Sequence, residues 1–434
     1  MKIAVAGTGY VGLVTGVVLA EIGHHVTCVD VDKKKIELLK KCISPIYEEG
    51  LEDLMKKNKD KIIYTLDYKK AYKNAEVIFI GVGTPEKEDG SANLEYVYDV
   101  CKQITENIEC DVIVVIKSTV PIGTNEEIEK YLNENKINDV NIDVVSNPEF
   151  LAQGTAVRDT FHAARIIVGA ENKRAREVME ELYKPLTKDP YNVPYIVMNR
   201  CSAEMVKYAS NNFLALKISY VNEIANFCEK VGANIEDVTK GMGYDSRIGN
   251  KFLRAGIGYG GSCFPKDTKA LYYLSKEFGC EMNTVKATIE VNKLQKTKLF
   301  EMAKEDFGDS IKDKEVALLG LSFKPGTDDL REAPSIDIVN LLLDYDATVT
   351  VYDPVAMNNF KKLFGDKVKY SETVEDAIKE KDITFIVTEW PEIVNINLNK
   401  YEELMNTPII YDGRNCYSLE EIKKTNIKYR SIGR

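Results

Sequence analysis

Cys263 sits in GYGGSCFPKD, where glycines at 258, 260 and 261 strip bulk from the chain just before a thiol, and Asp267 follows one helical turn later. A cysteine placed this way suits covalent chemistry, because a thiolate adds to electron-poor carbon and small neighbours let a ligand come close. Lys207 and Asn211 stand four apart in VKYASN, so on a helix they share a face. Their side chains donate hydrogen bonds and suit an oxyanion, and a nearby lysine lowers the pKa of a thiol. Glu149, in SNPEFL, follows a strand-like run and a proline, in a loop where function concentrates. Each residue taken singly has a plainer use. Lys207 suits a solvated helix face, Asn211 a helix–helix hydrogen bond, Glu149 a cap, and Cys263 an inert buried thiol.

What is missing narrows the chemistry. There are three histidines, two of them (His24, His25) at the start of a strand and the third, His162, outside any motif. A histidine general base is therefore not indicated, although its pKa suits that work. No CxxC or HExxH is present, so a catalytic metal has no support.

VAGTGYVG places Gly7, Gly9 and Gly12 directly after an apolar strand and before a helix ending near Gly23, and the next strand ends on Asp30. That is the dinucleotide-binding context. Gly7 turns the chain, Gly9 admits the pyrophosphate, Gly12 lets helix pack on strand, and Asp30 accepts from the ribose hydroxyls. An acidic residue there repels a 2′-phosphate, so NAD is expected over NADP, with Lys33, Lys34 and Lys35 as a solvated charge run. The strand-end loops GVGTP (Gly81 to Pro85) and KSTVP (Lys117 to Pro121) lie where such a sheet delivers groups to its cofactor crevice.

The elements that hold these residues are legible in outline. KIAVAG, HVTCVDV, EVIFIGV, DVIVVIKS, NIDVVSN and RIIVGA alternate with helical patterns, as in a mostly parallel sheet. From Ser202, taken as the N-cap, a proline-free pattern predicts one long helix to Gly232, a spacer or dimer element. EVALLGLSF, ATVTVYDP, ITFIVTEW and PIIYDGR then restart the alternation. The expected architecture is α/β, with two Rossmann-like domains joined by a long central helix. Residues 1–200 form a NAD-binding domain, 201–310 a central helical or dimerisation region, and 311–434 a second α/β domain.

The 434-residue chain carries a net charge of −10, with 29% charged and 44% hydrophobic residues. Nucleic acid and anionic membrane surfaces, which need a basic face, are excluded as partners. Nine scattered cysteines indicate no disulfide framework and suit a cytoplasmic protein. MKIAVAGTGYVGLVTGVVLA superficially suits a signal peptide, but the nucleotide motif accounts for its glycines better.

Nearly end to end, the chain resembles the UDP-glucose 6-dehydrogenase family of nucleotide-sugar dehydrogenases. GxGYVG with Asp30, KSTVP, NPEFL, KxxxNxFL, RIGNKFLRAGIGYGGSCFPKD, LSFKPGTDDLRE and YDGR occur in family order. The resemblance implies that C6 of UDP-glucose is oxidised twice to a carboxylate, with two NAD⁺ and a thiohemiacetal and thioester on Cys263. It implies catalytic roles for Lys207, Asn211, Asp267, Glu149 and Thr119, with Asp267 and Glu149 orienting or activating water. Cofactor contacts are implied for Gly7, Gly9, Tyr10, Val11, Gly12, Asp30, Lys35, Thr84, Pro85, Thr119 and Arg331. Substrate contacts are implied for Glu149, Phe150, Leu151, Lys207, Asn211, Phe252, Leu253, Tyr259, Gly260, Phe323, Lys324 and Arg414. Arg247 would reach substrate from a neighbouring subunit, in a homodimer or larger homo-oligomer. Gln153 stands where many members have another glutamate, which passes acid–base work to Glu149. GDP-mannose and UDP-N-acetyl-hexosamine 6-dehydrogenases, and an NAD- or nucleotide-sugar-binding sensor without turnover, are the alternatives.

Overall fold

The computed structural model describes residues 1–434, and the chain falls into two compact units, Met1–Ser210 and Asn211–Arg434. The first holds eight strands, β1 (Lys2–Ala6), β2 (His25–Val29), β3 (Ile62–Thr65), β4 (Val77–Ile80), β5 (Val112–Ile116), β6 (Ile142–Ser146), β7 (Ile166–Gly169) and β8 (Tyr195–Met198). Their order is β3-β2-β1-β4-β5-β6-β7-β8. All neighbours are parallel except β6 and β7, which meet at Ser146 and Gly169 in antiparallel sense.

Strands β4 and β5 are apolar at every position, and β1 and β6 nearly so, because both faces are covered. Val5, Phe79, Val115 and Val145 enter one core, and Ala4, Ile78, Val114 and Val144 the other. The order reverses about β1, so the loops after β1, β4 and β5 open on one crevice at the carboxyl ends of the strands. Strands β3 and β8 were not anticipated. Both lie at sheet edges and leave Ile63, Ile196 and Val197 exposed, so their sequences lack the continuous burial that marks the inner strands.

The second unit carries helices Phe264–Glu277, Asn283–Gln295 and Lys298–Phe307, then β9 (Glu315–Leu319), β10 (Thr348–Tyr352), β11 (Lys369–Tyr370), β12 (Ile383–Ile386), β13 (Ile409–Asp412) and β14 (Lys428–Ser431). The order β11-β10-β9-β12-β13-β14 repeats the first six places of the other sheet. Two α/β sheets of Rossmann type, the first mostly and the second wholly parallel, are therefore present. The two-residue β11 and the polar KYRS of β14 carry almost no sequence signal.

The long helix runs Arg200–Val231, 32 residues. Its start differs from the expected Ser202 cap. Asn199 receives Ser202 N on its side chain at 2.7 Å and Ala203 N on its carbonyl at 3.1 Å, so the cap lies three residues earlier. His24, just before β2, is buried, with Nε2 3.0 Å from the Leu182 carbonyl.

Candidate active site

In the first unit the glycine-rich turn is shaped by contact with backbone. Gly7 has φ +91, and a Cβ on Gly12 would lie 2.0 Å from the Gly7 carbonyl. Gly9 is different. Its Cβ would meet nothing within 4 Å, and it caps the Tyr10–Glu21 helix without a side chain, so the helix's first N–H groups face open space. This is the cradle that a pyrophosphate fits, and the residues present suit NAD. Asp30 accepts Thr8 N at 2.8 Å and Thr8 Oγ1 at 2.6 Å, which ties the turn to the end of β2. Burial works against its charge. Hydrogen bonds from Thr8 and Asp32, and the nearby Lys35, outweigh it and hold the carboxyl below its ordinary value. Lys35 is half-buried, in the first turn of a helix capped by Asp32. Thr84 Oγ1 donates to the Thr119 carbonyl at 2.9 Å, and Ser118 Oγ to the Val82 carbonyl at 2.6 Å, so the GVGTP and KSTVP loops are bolted together. Val11 is half-buried, and the Tyr10 hydroxyl turns to the carbonyl of Tyr47.

Lys207 and Glu149 form a buried ion pair. Lys207 Nζ lies 2.9 Å from Glu149 Oε1 and 2.8 Å from the Glu149 carbonyl, and Leu151 N donates to Oε2 at 2.6 Å. Burial disfavours the Glu149 carboxylate, but Lys207, the Leu151 N–H and the charge of Lys117 prevail, and its pKa falls below the ordinary value. A carboxylate held so firmly is a poor base near neutrality, and its first effect is to fix the Lys207 ammonium. Phe150 packs under the Arg165 guanidinium, 3.9 Å from the ring centre. Leu151 leans on the apolar core.

In the second unit Cys263 caps the Phe264–Glu277 helix, at the end where the helix dipole favours a thiolate. All nine cysteines are reduced. Asp267, 1% exposed, accepts Asn211 Nδ2 at 2.6 Å on Oδ2 and meets Lys266 Nζ at 2.9 Å on Oδ1. Arg331 is anchored to Asp329 at 2.7 Å, and its carbonyl accepts Gly261 N at 2.8 Å. The Asp329 contact raises the Arg331 pKa, and Cys263 is among the charges that act on it. Within this unit Arg331 is thus a cation whose charge acts together with that of Cys263.

The glycines of this loop make room for protein. A Cβ on Gly260 would meet the Glu332 carbonyl at 2.4 Å, and one on Gly261 the Phe323 ring at 2.8 Å. Arg414 NH2 reaches the Phe323 carbonyl at 3.2 Å, and Lys324 Nζ lies 5.7 Å from the Phe323 ring centre. Tyr259 is locked by Asn292, which accepts its N–H at 2.7 Å and donates to its carbonyl at 3.0 Å. Phe252, Tyr259 and Phe264 form a ring cluster, and Leu253 is buried. Most of the expected substrate residues after position 250 therefore converge on the 256–263 loop. Arg247 does not. It is exposed and paired with Asp245 at 2.6 Å.

Several supports were missed. Asp412 accepts Arg414 N and Cys416 N, which presents Arg414, and Asp353 accepts Leu321 N and Ser322 N, which presents Phe323. For Asp412, its place at a strand end two residues before Arg414 is the available signal; Asp353 lies 30 residues after Phe323 and offers none of that kind. Glu204 and Lys117 were also missed.

The parallel sheet, the open glycine cradle and a capped thiol define an NAD-linked α/β enzyme. The chain belongs to the UDP-glucose/GDP-mannose dehydrogenase family. Its NAD binding domain matches residues 1–187, its central domain 201–294 and its UDP binding domain 317–419. The chain is 50% identical over 436 residues to UDP-glucose 6-dehydrogenase YwqF of Bacillus subtilis, covering 100% of this chain and 98% of that one. It is 44% identical over 440 residues to the UDP-glucose 6-dehydrogenase of Rhizobium meliloti, covering 100% of both. A UDP-glucose dehydrogenase structure from Pyrobaculum islandicum superposes with TM-score 0.91 at 35% identity, covering 99% of this chain and 96% of that one.

Proposed function

We propose that the chain oxidises the C6 hydroxymethyl group of UDP-glucose to a carboxylate, giving UDP-glucuronate. The observation that carries this reading is full-length identity of 44–50% to UDP-glucose 6-dehydrogenases, on a chain that retains a thiol at a helix N-terminus. Residues 1–200 take the cofactor, 311–434 the UDP-sugar, and 201–310 link them. NAD⁺, held by the Gly7–Gly12 turn and Asp30, would supply a hydride acceptor for each of the two oxidations at C6. Cys263 adds as thiolate to the C6 aldehyde of the first oxidation, and the resulting thiohemiacetal loses the second hydride to become a thioester. Water then cleaves the C–S bond and returns the thiol. Lys207 and Asn211 donate to the C6 oxygen, with each such donor worth about 3 kcal/mol. Asp267 orients the attacking water, and Glu149 keeps Lys207 in place. Phe323, Lys324, Arg414 and the 252–260 segment hold the nucleotide sugar.

Phe213, Tyr220 and Phe227 recur every seven residues on the long helix and are all exposed, which supports a homodimer built along it, with Arg247 donated across. Nine scattered cysteines with no CxxC pair support a cytoplasmic location. An NADH-release screen over UDP-glucose, GDP-mannose, UDP-GlcNAc and UDP-ManNAc tests the reading. UDP-glucose gives the largest kcat/KM, and preference for another sugar overturns the substrate. Release with none of them leaves the silent sensor.

A further inference from the structure

Lys117 directly follows β5, in the KSTVP loop, and the mechanism above does not use it. Its backbone is fixed: Lys117 N donates to the Ile80 carbonyl at 2.9 Å, and the next residue, Ser118, bonds to the Ile80 and Val82 carbonyls. Its side chain reaches into the NPEFL loop, with Nζ 3.0 Å from Asn147 Oδ1. That same oxygen accepts the Tyr183 hydroxyl at 2.6 Å, while Asn147 Nδ2 donates to the Ile167 carbonyl at 2.7 Å. Asn147 is therefore held on three sides and cannot turn away. Two residues later Glu149 grips Lys207.

We propose that Lys117 is a positioning residue whose protonation state sets the net charge around the Lys207–Glu149 pair, and through it the rate of C6 oxidation. The inference rests on the oxidation assigned above. Two cations face one carboxylate in this cluster. The charged groups that act on Lys117 are Glu149, which favours its ammonium, and Lys207, which opposes it. Tyr183, from the Lys173–Thr187 helix, stays neutral, because burial pushes its phenol far up. Burial is the largest influence on Lys117 itself and lowers its pKa to about 8. With no histidine in the cluster, Lys117 is the group there that changes charge near neutrality. When it loses its proton the cluster drops from net +1 to neutral, and Lys207 holds its own proton more tightly.

The test uses two variants with opposite fixed charges. Lys117→Arg is cationic throughout, and Lys117→Met is never charged. NADH release from UDP-glucose is followed between about pH 6.5 and 9.5. The wild-type kcat shows an ionisation near 8, and both variants lose it. The arginine variant stays level at the wild-type's low-pH rate and the methionine variant at its high-pH rate. An ionisation near 8 that persists in both variants overturns the proposal. Thermal unfolding gives a second readout that needs no turnover. Because the folded pKa lies below that of the unfolded chain, the unfolded state binds more protons above about pH 8, so wild-type stability gains from Lys117 as pH rises to about 10. Lys117→Met lacks that rise relative to wild type. If UDP-glucose is not oxidised at all, the assigned reaction fails. If the rise in stability survives in Lys117→Met, the titration of Lys117 fails independently.

Discussion

A thiol attacks only as thiolate, and Cys263 has a helix N-terminus and Arg331 to favour that form within its own unit. Cys263→Ala therefore abolishes UDP-glucuronate formation while NAD binding stays within about twofold, checked by product chromatography and calorimetric titration. Acid formation near the wild-type rate removes Cys263 from the chemistry. Glu149 makes the opposite kind of prediction, one about stability. Removing it leaves the buried Lys207 ammonium without its counter-charge, and Glu149→Ala loses about 3–5 kcal/mol in urea unfolding at neutral pH. The sign with pH is fixed. The Glu149 pKa is depressed on folding, so its contribution is complete above its ordinary value and is lost as pH falls through the folded one. The gap between wild type and variant accordingly narrows on acidification. The residues proposed to meet substrate carbon or cofactor are legible as candidates because their types and spacing stand out in sequence. Lys117 was legible only as the first letter of KSTVP, because nothing in a sequence says that Asn147 and Tyr183 will share one oxygen near it.

At the scale of elements, the inner strands and the long helix could be read from their burial pattern and lack of proline. The helix start could not. Asn199 captures two N–H groups before Ser202 has a chance to, so a good capping residue lost to an earlier one. Glu204, near the start of the long helix, caps a different helix. Its carboxylate accepts Gly123 N at 2.6 Å, Asn125 N at 2.9 Å and Asn125 Nδ2 at 2.6 Å, at the start of Thr124–Asn135. Arg200, Glu204 and Lys207 follow one face of the long helix, and each grips a different part of the first unit: Glu171 and Glu129, the 123–125 turn, and Glu149. Glu204→Ala leaves buried donors without acceptors, which costs about 1–3 kcal/mol. Faster amide exchange at 123–128 is the local signature. Because Lys207 stands three residues further along, kcat also falls while the KM for each substrate changes little. An unchanged kcat with a lower unfolding midpoint would confine Glu204 to stability.

For the whole chain, a net charge of −10 has to coexist with an anionic cofactor and an anionic substrate, so their attraction is local. The two sheets repeat one strand order, but only the first keeps an open glycine cradle. In the second, Asp353 folds back on Leu321, Ser322 and the Trp390 indole. That closure was invisible in sequence, where both halves show the same strand–turn–helix–strand–Asp opening. A molecule with one open cradle per chain completes two oxidations only by exchanging NADH for NAD⁺ between them, with the half-oxidised sugar still held. Taking –CH₂OH to –COO⁻ removes four electrons as two hydrides and adds one oxygen from water. The thiohemiacetal on Cys263 is what prevents escape of the aldehyde during that exchange. Two NADH should therefore form for each UDP-glucose consumed, at every stage of the time course. Semicarbazide in the assay should trap no aldehyde. A ratio of one, or trapped aldehyde in proportion to NADH, would show that the first oxidation ends in release and that no thioester is formed.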